Sequence, residues 1–195
     1  IQVYPGIKEN GISERRSRYL FTKPHEESIT LEPNKTTEVN PASSYFSSVN
    51  FSWKEDFETA SLPFTYAATS DTTMFKTNTD VFEGNYSGKV FLTSNMDFYE
   101  CSTPKLTGLP AFGNSIFMEL NFKTNQPVLV GMYADSYQIG LFYLNTADDW
   151  KKIYLNLTEG FQSNPNASEY KIFFGFQSKV TNPEFLIDNI KILHF

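Results

Sequence analysis

Ser115-Ile-Phe-Met-Glu-Leu-Asn-Phe-Lys123 is a stretch written in two faces. Ile116, Met118, Leu120 and Phe122 alternate with Phe117, Glu119, Asn121 and Lys123, and in an extended chain residues two apart share a side. One face suits a core; the other carries a carboxylate, an amide and an ammonium. The same period continues in Trp150-Lys-Lys-Ile-Tyr-Leu-Asn-Leu157, with Ile153, Leu155 and Leu157 on one side. It recurs in Tyr170-Lys-Ile-Phe-Phe-Gly-Phe-Gln177, with Ile172, Phe174 and Phe176 together. These apolar positions are predicted to be buried, and Lys152 and Lys171 exposed. Turn residues separate the runs at Pro104, Gly108 to Pro110, Gly113-Asn114, Asn125 to Pro127, Asp148-Asp149 and Glu159 to Ser168. No segment has a long helical period. Short alternating strands without intervening helices give an all-β fold, an antiparallel β-sandwich or jelly roll.

With 195 residues the chain can bury one large core without covalent staples. Aromatic residues make up 16% of it, including 19 Phe and 11 Tyr, and rings pack well on a pleated surface. The net charge of -6 leaves no electrostatic footprint for a phosphate backbone, so nucleic acid is excluded as a partner. No apolar run approaches the roughly 20 residues of a membrane-spanning helix. The chain opens on Ile1 and reads as a processed or truncated piece. Alternation dominates the stretch 45–195, which forms the sandwich, whereas residues 1–44 hold Pro5, Pro24, Pro33 and Pro41 and only short apolar runs. That leader reads as an N-terminal extended segment, one or two strands on the sandwich edge with linker.

In Phe185-Leu-Ile-Asp-Asn-Ile-Lys-Ile-Leu193 the alternation breaks. Phe185 and Ile187 fall on one face, Ile190 and Ile192 on the other, and a β-bulge at Asp188-Asn189 would realign them. Two readings of Asp188 follow: it bonds the backbone at a kink, or it helps hold a structural Ca²⁺, a cation that needs several oxygen ligands.

Trp53-Lys-Glu-Asp-Phe-Glu58, Gly84-Asn-Tyr-Ser-Gly-Lys89 and the final strand, in this order, resemble jelly-roll domains of the carbohydrate-binding-module, or galactose-binding-like, type. The resemblance implies a calcium clamped by an acidic residue of the first strand and an Asp of the last, here Glu58 and Asp188. Which of Glu55, Asp56 and Glu58 faces inward stays open. Pro5 to Ile12, Phe82 to Gly88, Phe117 to Lys123, Trp150 to Leu157 and Leu186 to Lys191 further resemble uncharacterised lipoproteins of the Bacteroidetes cell envelope. That likeness implies an exported protein of the outer membrane or cell surface, held to the membrane only by a lipid anchor outside this fragment.

Catalytic chemistry finds few groups. The two histidines are His25, in the Pro-rich leader, and His194, at the C-terminus; no Gly-x-Ser-x-Gly turn accompanies them. Cys101 is the only cysteine and has no neighbouring base closer than Lys105, so it reads as a structural thiol. Glu119 is the best carboxylate for glycoside hydrolysis, which needs two, and Asn121 stands where the second would be. No catalytic residue is assigned, and the chain reads as a non-enzyme. Binding of a glycan is favoured, with rings stacking on sugar faces. The candidate rings are Tyr133 and Tyr137, which flank a hairpin loop at Ala134-Asp-Ser136, with Tyr143 and Trp150. Each has a packing role as its alternative. The competing function is a protein-interaction or scaffolding domain, docking through a strand edge near residues 17–31.

Overall fold

The structure, a computed structural model, describes residues 2–3, 25–26 and 50–194. In chain order the elements are β1 (Gln2–Val3), β2 (His25–Glu26), β3 (Asn50–Glu55), β4 (Thr65–Tyr66), β5 (Phe75–Thr77), β6 (Ser87–Phe91) and β7 (Phe98–Ser102). They continue as β8 (Ile116–Thr124), β9 (Val128–Ala134), β10 (Tyr137–Leu144), β11 (Ala147–Asn156), the short helix α1 (Thr158–Gln162), β12 (Tyr170–Gln177) and β13 (Glu184–His194). The chain divides into two units, Ile1–Asn50 with Phe195, and Phe51–His194. In the first, β1 and β2 pair antiparallel, Gln2 opposite Glu26 and Val3 opposite His25. Apart from that pairing, the leader, including the strand edge expected near 17–31, lies outside the described residues.

The second unit is an antiparallel β-sandwich. One sheet has five strands in the order β10-β9-β12-β7-β4; the other has six, with β11-β8-β13-β6-β5 in line and β3 also paired to β13. Strands distant in sequence become neighbours: β12 lies between β7 and β9, and β13 between β6 and β8. The core between the sheets is made by the alternation read from the sequence. Ile116, Met118, Leu120, Phe122, Leu155, Leu157, Ile172, Phe174 and Phe176 are buried, and Ile153 is half-buried against them. Phe174 and Phe176 meet Phe185 of the opposite sheet with ring centroids 6.3 and 6.5 Å apart.

Lys152 and Lys171 depart from the expected exposure, their side chains being 19% and 31% accessible. Each lies along the sheet surface to reach a carboxylate, Lys152 to Glu119 at 2.7 Å and Lys171 to Glu169 at 2.6 Å. A long aliphatic stem covers apolar surface while its ammonium finds a partner.

The bulge in β13 is present. Against β8, Asp188 pairs with Asn121 and Lys191 with Glu119, so three steps on one strand oppose two on the other. Asn189 takes the slack at φ 50°, a left-handed conformation that Asn tolerates better than most residues. The extra residue returns Ile190 and Ile192 to the core beside Phe185 and Ile187, and all four are 0% exposed. A second bulge lies in β10, between Gly140 and Phe142.

Phe57 adopts φ 62° and is fully buried, stacked on Phe64. A bulky side chain in this region is strained, and the conformation is held by Glu55, whose Oε1 accepts the Phe57 N–H at 2.7 Å. The ring lies where a Cβ on Gly88 would be, so glycine is required there.

Truncating Phe174 to Ala removes a fully buried ring that bridges the two sheets. The variant should lose about 3–5 kcal/mol of unfolding free energy in urea titration; a loss below about 1 kcal/mol would show that the ring is not packed as described.

Candidate functional site

The outer face of the five-stranded sheet is built from the residues that alternate with the core. On β9 these are Leu129, Gly131 and Tyr133; on β12, Lys171, Phe173, Gly175 and Gln177; on β7, Phe98, Glu100 and Ser102. The register puts Gly131 between Gly140 and Phe173, and Gly175 between Leu129 and Glu100. Three glycines therefore leave the middle of this face without side chains. The space over Gly131 is filled by the Phe173 ring, which a Cβ there would strike, and Phe173 is 1% exposed although it points away from the core. Tyr133 leans against it at 5.2 Å between centroids.

Beside this floor stands Glu100, 8% exposed. Its Oε1 accepts a short hydrogen bond from the Tyr133 hydroxyl, and its Oε2 accepts one from Gln138 Nε2 at 2.9 Å. Burial, with Glu100 alongside, pushes the Tyr133 phenol well above its ordinary value, so it stays a donor. Along the strands from Glu100 a cavity of about 220 Å³ opens over Gly175, bounded by Leu129, Tyr143, Phe173, Gln177 and Lys179. Tyr143 is 67% exposed. The β10 bulge aims it: Gly140 faces Gly131 and, three residues on, Tyr143 faces Leu129, so both reach the outer side. The arrangement offers an accessible aromatic face, a largely buried carboxylate at the cavity wall and an amide. It suits a ligand with an apolar face and hydroxyl groups at its edge.

The rings singled out from the sequence do not share one surface. Tyr133 is on this face, held by Glu100, whereas Tyr137 pairs with core-facing Ala134 and projects from the hairpin tip, 74% exposed. Trp150 belongs to the other sheet. Its Nε1 donates to Asp80 Oδ1 at 2.8 Å, its ring lies 5.9 Å from Phe82, and Lys123 pairs with Asp80 Oδ2 at 2.8 Å. Trp150 thereby pins the loop 78–86.

Glu58 and Asp188 grip that same loop, at different residues. Glu58 Oε1 accepts the N–H groups of Asn85 and Tyr86 at 2.7 and 3.0 Å, and its Oε2 accepts Asn85 Nδ2 at 3.0 Å. Asp188 Oδ2 accepts the Glu83 N–H at 3.1 Å, and its Oδ1 accepts the Asn189 N–H at 2.7 Å. A calcium shell takes carboxylate and carbonyl oxygens; here the carboxylates are spent on N–H donors. Among the described residues, no group of three or more His, Cys, Asp and Glu side chains is gathered that could hold a metal ion. Of the acidic string, Glu55 is the buried member.

Glu119 is 0% exposed, with Oε1 2.7 Å from Lys152 Nζ and 2.9 Å from Lys191 Nζ. Burial holds the Lys191 ammonium below its ordinary value, with Glu119 opposing the shift. Asn121, its neighbour on the strand, is buried, and neither of its amide atoms has a hydrogen-bond partner. Cys101 is fully buried and its thiol is pushed up to about 12 by that burial, which leaves it unreactive. His194 has Nε2 3.0 Å from the Gly108 carbonyl oxygen. The side chain of His25 lies outside the described residues.

Glu100, Gln138 and Phe173 escaped the sequence reading. A signal existed: an isolated glycine inside a strand pattern marks a close approach of other groups, and Gly131, Gly140 and Gly175 are three such positions. That they meet on one face depends on the register.

No protein-family model matches the chain, and no curated protein matches it significantly. Solved structures match in fold. The C-terminal family 22 carbohydrate-binding module of Clostridium thermocellum Xyn10B is 11% identical, with TM-score 0.51, over 73% of this chain and 92% of that one. A structure described for promiscuous specificity among carbohydrate-binding modules of the β-sandwich superfamily is 15% identical, with TM-score 0.53, over 70% of this chain and 60% of that one. The enzymatically active domain of tailspike protein 4 of bacteriophage CBA120 is 14% identical, with TM-score 0.53, over 68% of this chain but only 19% of its own. At these identities the likeness establishes the jelly-roll sandwich.

Burial pushes Asp188 up to about 7, against the N–H groups of Glu83, Asn189 and Phe82 that favour its ionised form. A folded-state value above the unfolded one means that the native protein holds the proton longer. The stabilisation is complete below about pH 4 and fades as pH rises through about 7. Over that window the wild type should lose up to about 4 kcal/mol relative to Asp188→Asn, measured by urea unfolding at each pH. Parallel curves for the two proteins would show that Asp188 does not titrate there. Melts with and without EDTA, on protein purified without chelator, should superimpose; a lower midpoint in EDTA would place an ion in the clamp.

Proposed function

We propose that this chain is a non-catalytic module that binds carbohydrate on the outer face of its five-stranded sheet. The carrying observation is the convergence at one place of a glycine-cleared floor, the exposed Tyr143 ring and the Glu100–Tyr133–Gln138 cluster. A pyranose has an apolar face for the ring and hydroxyls for the carboxylate and amides. The solved structures of like fold that are named as carbohydrate-binding modules support the same reading. Tyr143 takes the stacking role and Glu100 the hydrogen-bonding one. Tyr137 lines a separate hollow with Asn164 and Pro165 at the hairpin tip, outside this site, and Trp150 acts as a loop anchor.

The non-enzymatic part of the reading rests on where the carboxylates are. Glu119 is sealed beneath the surface between two ammonium groups. A hydrolytic acid has to reach the glycosidic oxygen, and its carboxylate partner has to stand within about 5–10 Å of it. An exported setting in a bacterial cell envelope, with a lipid anchor outside residues 1–195, belongs to the same proposal and is supported by the resemblance of Pro5 to Ile12 and of the strand segments to envelope lipoproteins. Fractionation of the full-length protein in its own cells tests it, with recovery in the membrane fraction expected and recovery in the soluble cytosol opposing.

A glycan array followed by calorimetry tests the binding site. Tyr143→Ala should weaken binding roughly tenfold while the melting midpoint stays put, since the ring is outside the core. Unchanged affinity would move the site elsewhere. Pure protein should release no reducing ends from any bound polysaccharide; steady release that Glu119→Gln abolishes in a folded protein would make this an enzyme.

A further inference from the structure

The two outer faces of the sandwich each carry one buried glutamate, and the two are compensated differently. Glu119 has two lysine ammoniums within 2.9 Å. Glu100 has two neutral donors, the Tyr133 hydroxyl and the Gln138 amide. Of the lysines on this side, Lys171 is engaged with Glu169 at 2.6 Å, and Lys179 stands exposed at the rim of the cavity. The carboxylate beside the floor of the proposed sugar site is therefore partnered by neutral hydrogen-bond donors. We infer that Glu100 makes this site selective for neutral sugar chains and against chains bearing uronate carboxylates. The inference rests on the carbohydrate-binding reading above and adds the chemical class of the ligand.

A neutral pyranose brings hydroxyl donors, which Glu100 accepts in charge-assisted hydrogen bonds through lone pairs that Tyr133 and Gln138 leave open. A uronate brings a second carboxylate up to Glu100, and like charges at contact distance repel strongly at protein-surface dielectric. Lys179 offsets this only weakly, because an exposed ammonium at the rim is hydrated and screened.

The test uses neutral β-linked gluco-, galacto- and manno-oligosaccharides and the same chains oxidised at C6 to uronates, titrated into the protein at low salt. The neutral member of each binding pair should bind at least about tenfold more tightly. Raising salt from about 10 mM to about 0.5 M should narrow the ratio as the repulsion is screened. Glu100→Gln, an isostere that removes the charge, should narrow it to within about threefold. Uronates that bind as well as their neutral partners in the wild type overturn the selectivity and leave the sugar site standing, as does a ratio insensitive to both salt and Glu100→Gln. Absence of binding by neutral and acidic chains alike overturns the carbohydrate reading itself. If Glu100→Gln fails to fold, the salt series on the wild type decides.

Discussion

The extra residue in β13 is the constraint on which the rest of the sandwich depends. β13 pairs with β8 on one side and with β6 on the other, and every residue of it from Phe185 to His194 is buried. Uninterrupted alternation would send either Phe185 and Ile187 or Ile190 and Ile192 to the outer face. The turn at Asn189 keeps all four in the core, and as a consequence Asp188 and Lys191 both reach the outer side. There Asp188 receives backbone N–H groups from the loop 78–86, and Lys191 meets Glu119. A backbone irregularity of one residue thus organises both the core and the polar layer over the six-stranded sheet.

That polar layer and the opposite face show how the same residue type takes different roles. Glu119 and Glu100 both alternate with core residues, and both end up nearly inaccessible. Two ammonium groups meet Glu119, and removing both would strand a buried charge, which is costly. Glu100 has neutral donors as its partners and lines an open cavity. The first arrangement holds a sheet together, and the second lines an open cavity.

The five-stranded sheet is shaped by subtraction. Gly131, Gly140 and Gly175 remove side chains where a regular sheet would carry them, and Phe173 lies down over the gap so that a ring normally assigned to a core becomes part of a floor. The bulge in β10 then lifts Tyr143 to the same side. Bulges tend to sit at sheet edges and next to functional sites because they re-aim one side chain without disturbing the ladder beyond them.

Alternation in Ser115–Lys123, Trp150–Leu157 and Tyr170–Gln177 was enough by itself to determine the all-β class, the core face and, from its failure at Asp188-Asn189, the bulge, because side-chain direction along a strand is a local property of the backbone. The aromatic richness likewise marked a ring-packed sandwich. Which rings became surface was decided only in the folded structure: Tyr133, Tyr137 and Trp150 look alike in sequence, yet they lie on the outer face of one sheet, at a hairpin tip and against a loop of the other sheet. Glu100 acquires its partners only because β12 inserts between β7 and β9, so that Tyr133 and Gln138, 33 and 38 residues away, come within hydrogen-bonding reach. Strand order and register are long-range quantities, set by how two sheets pack, and a single chain's local pattern carries no record of them.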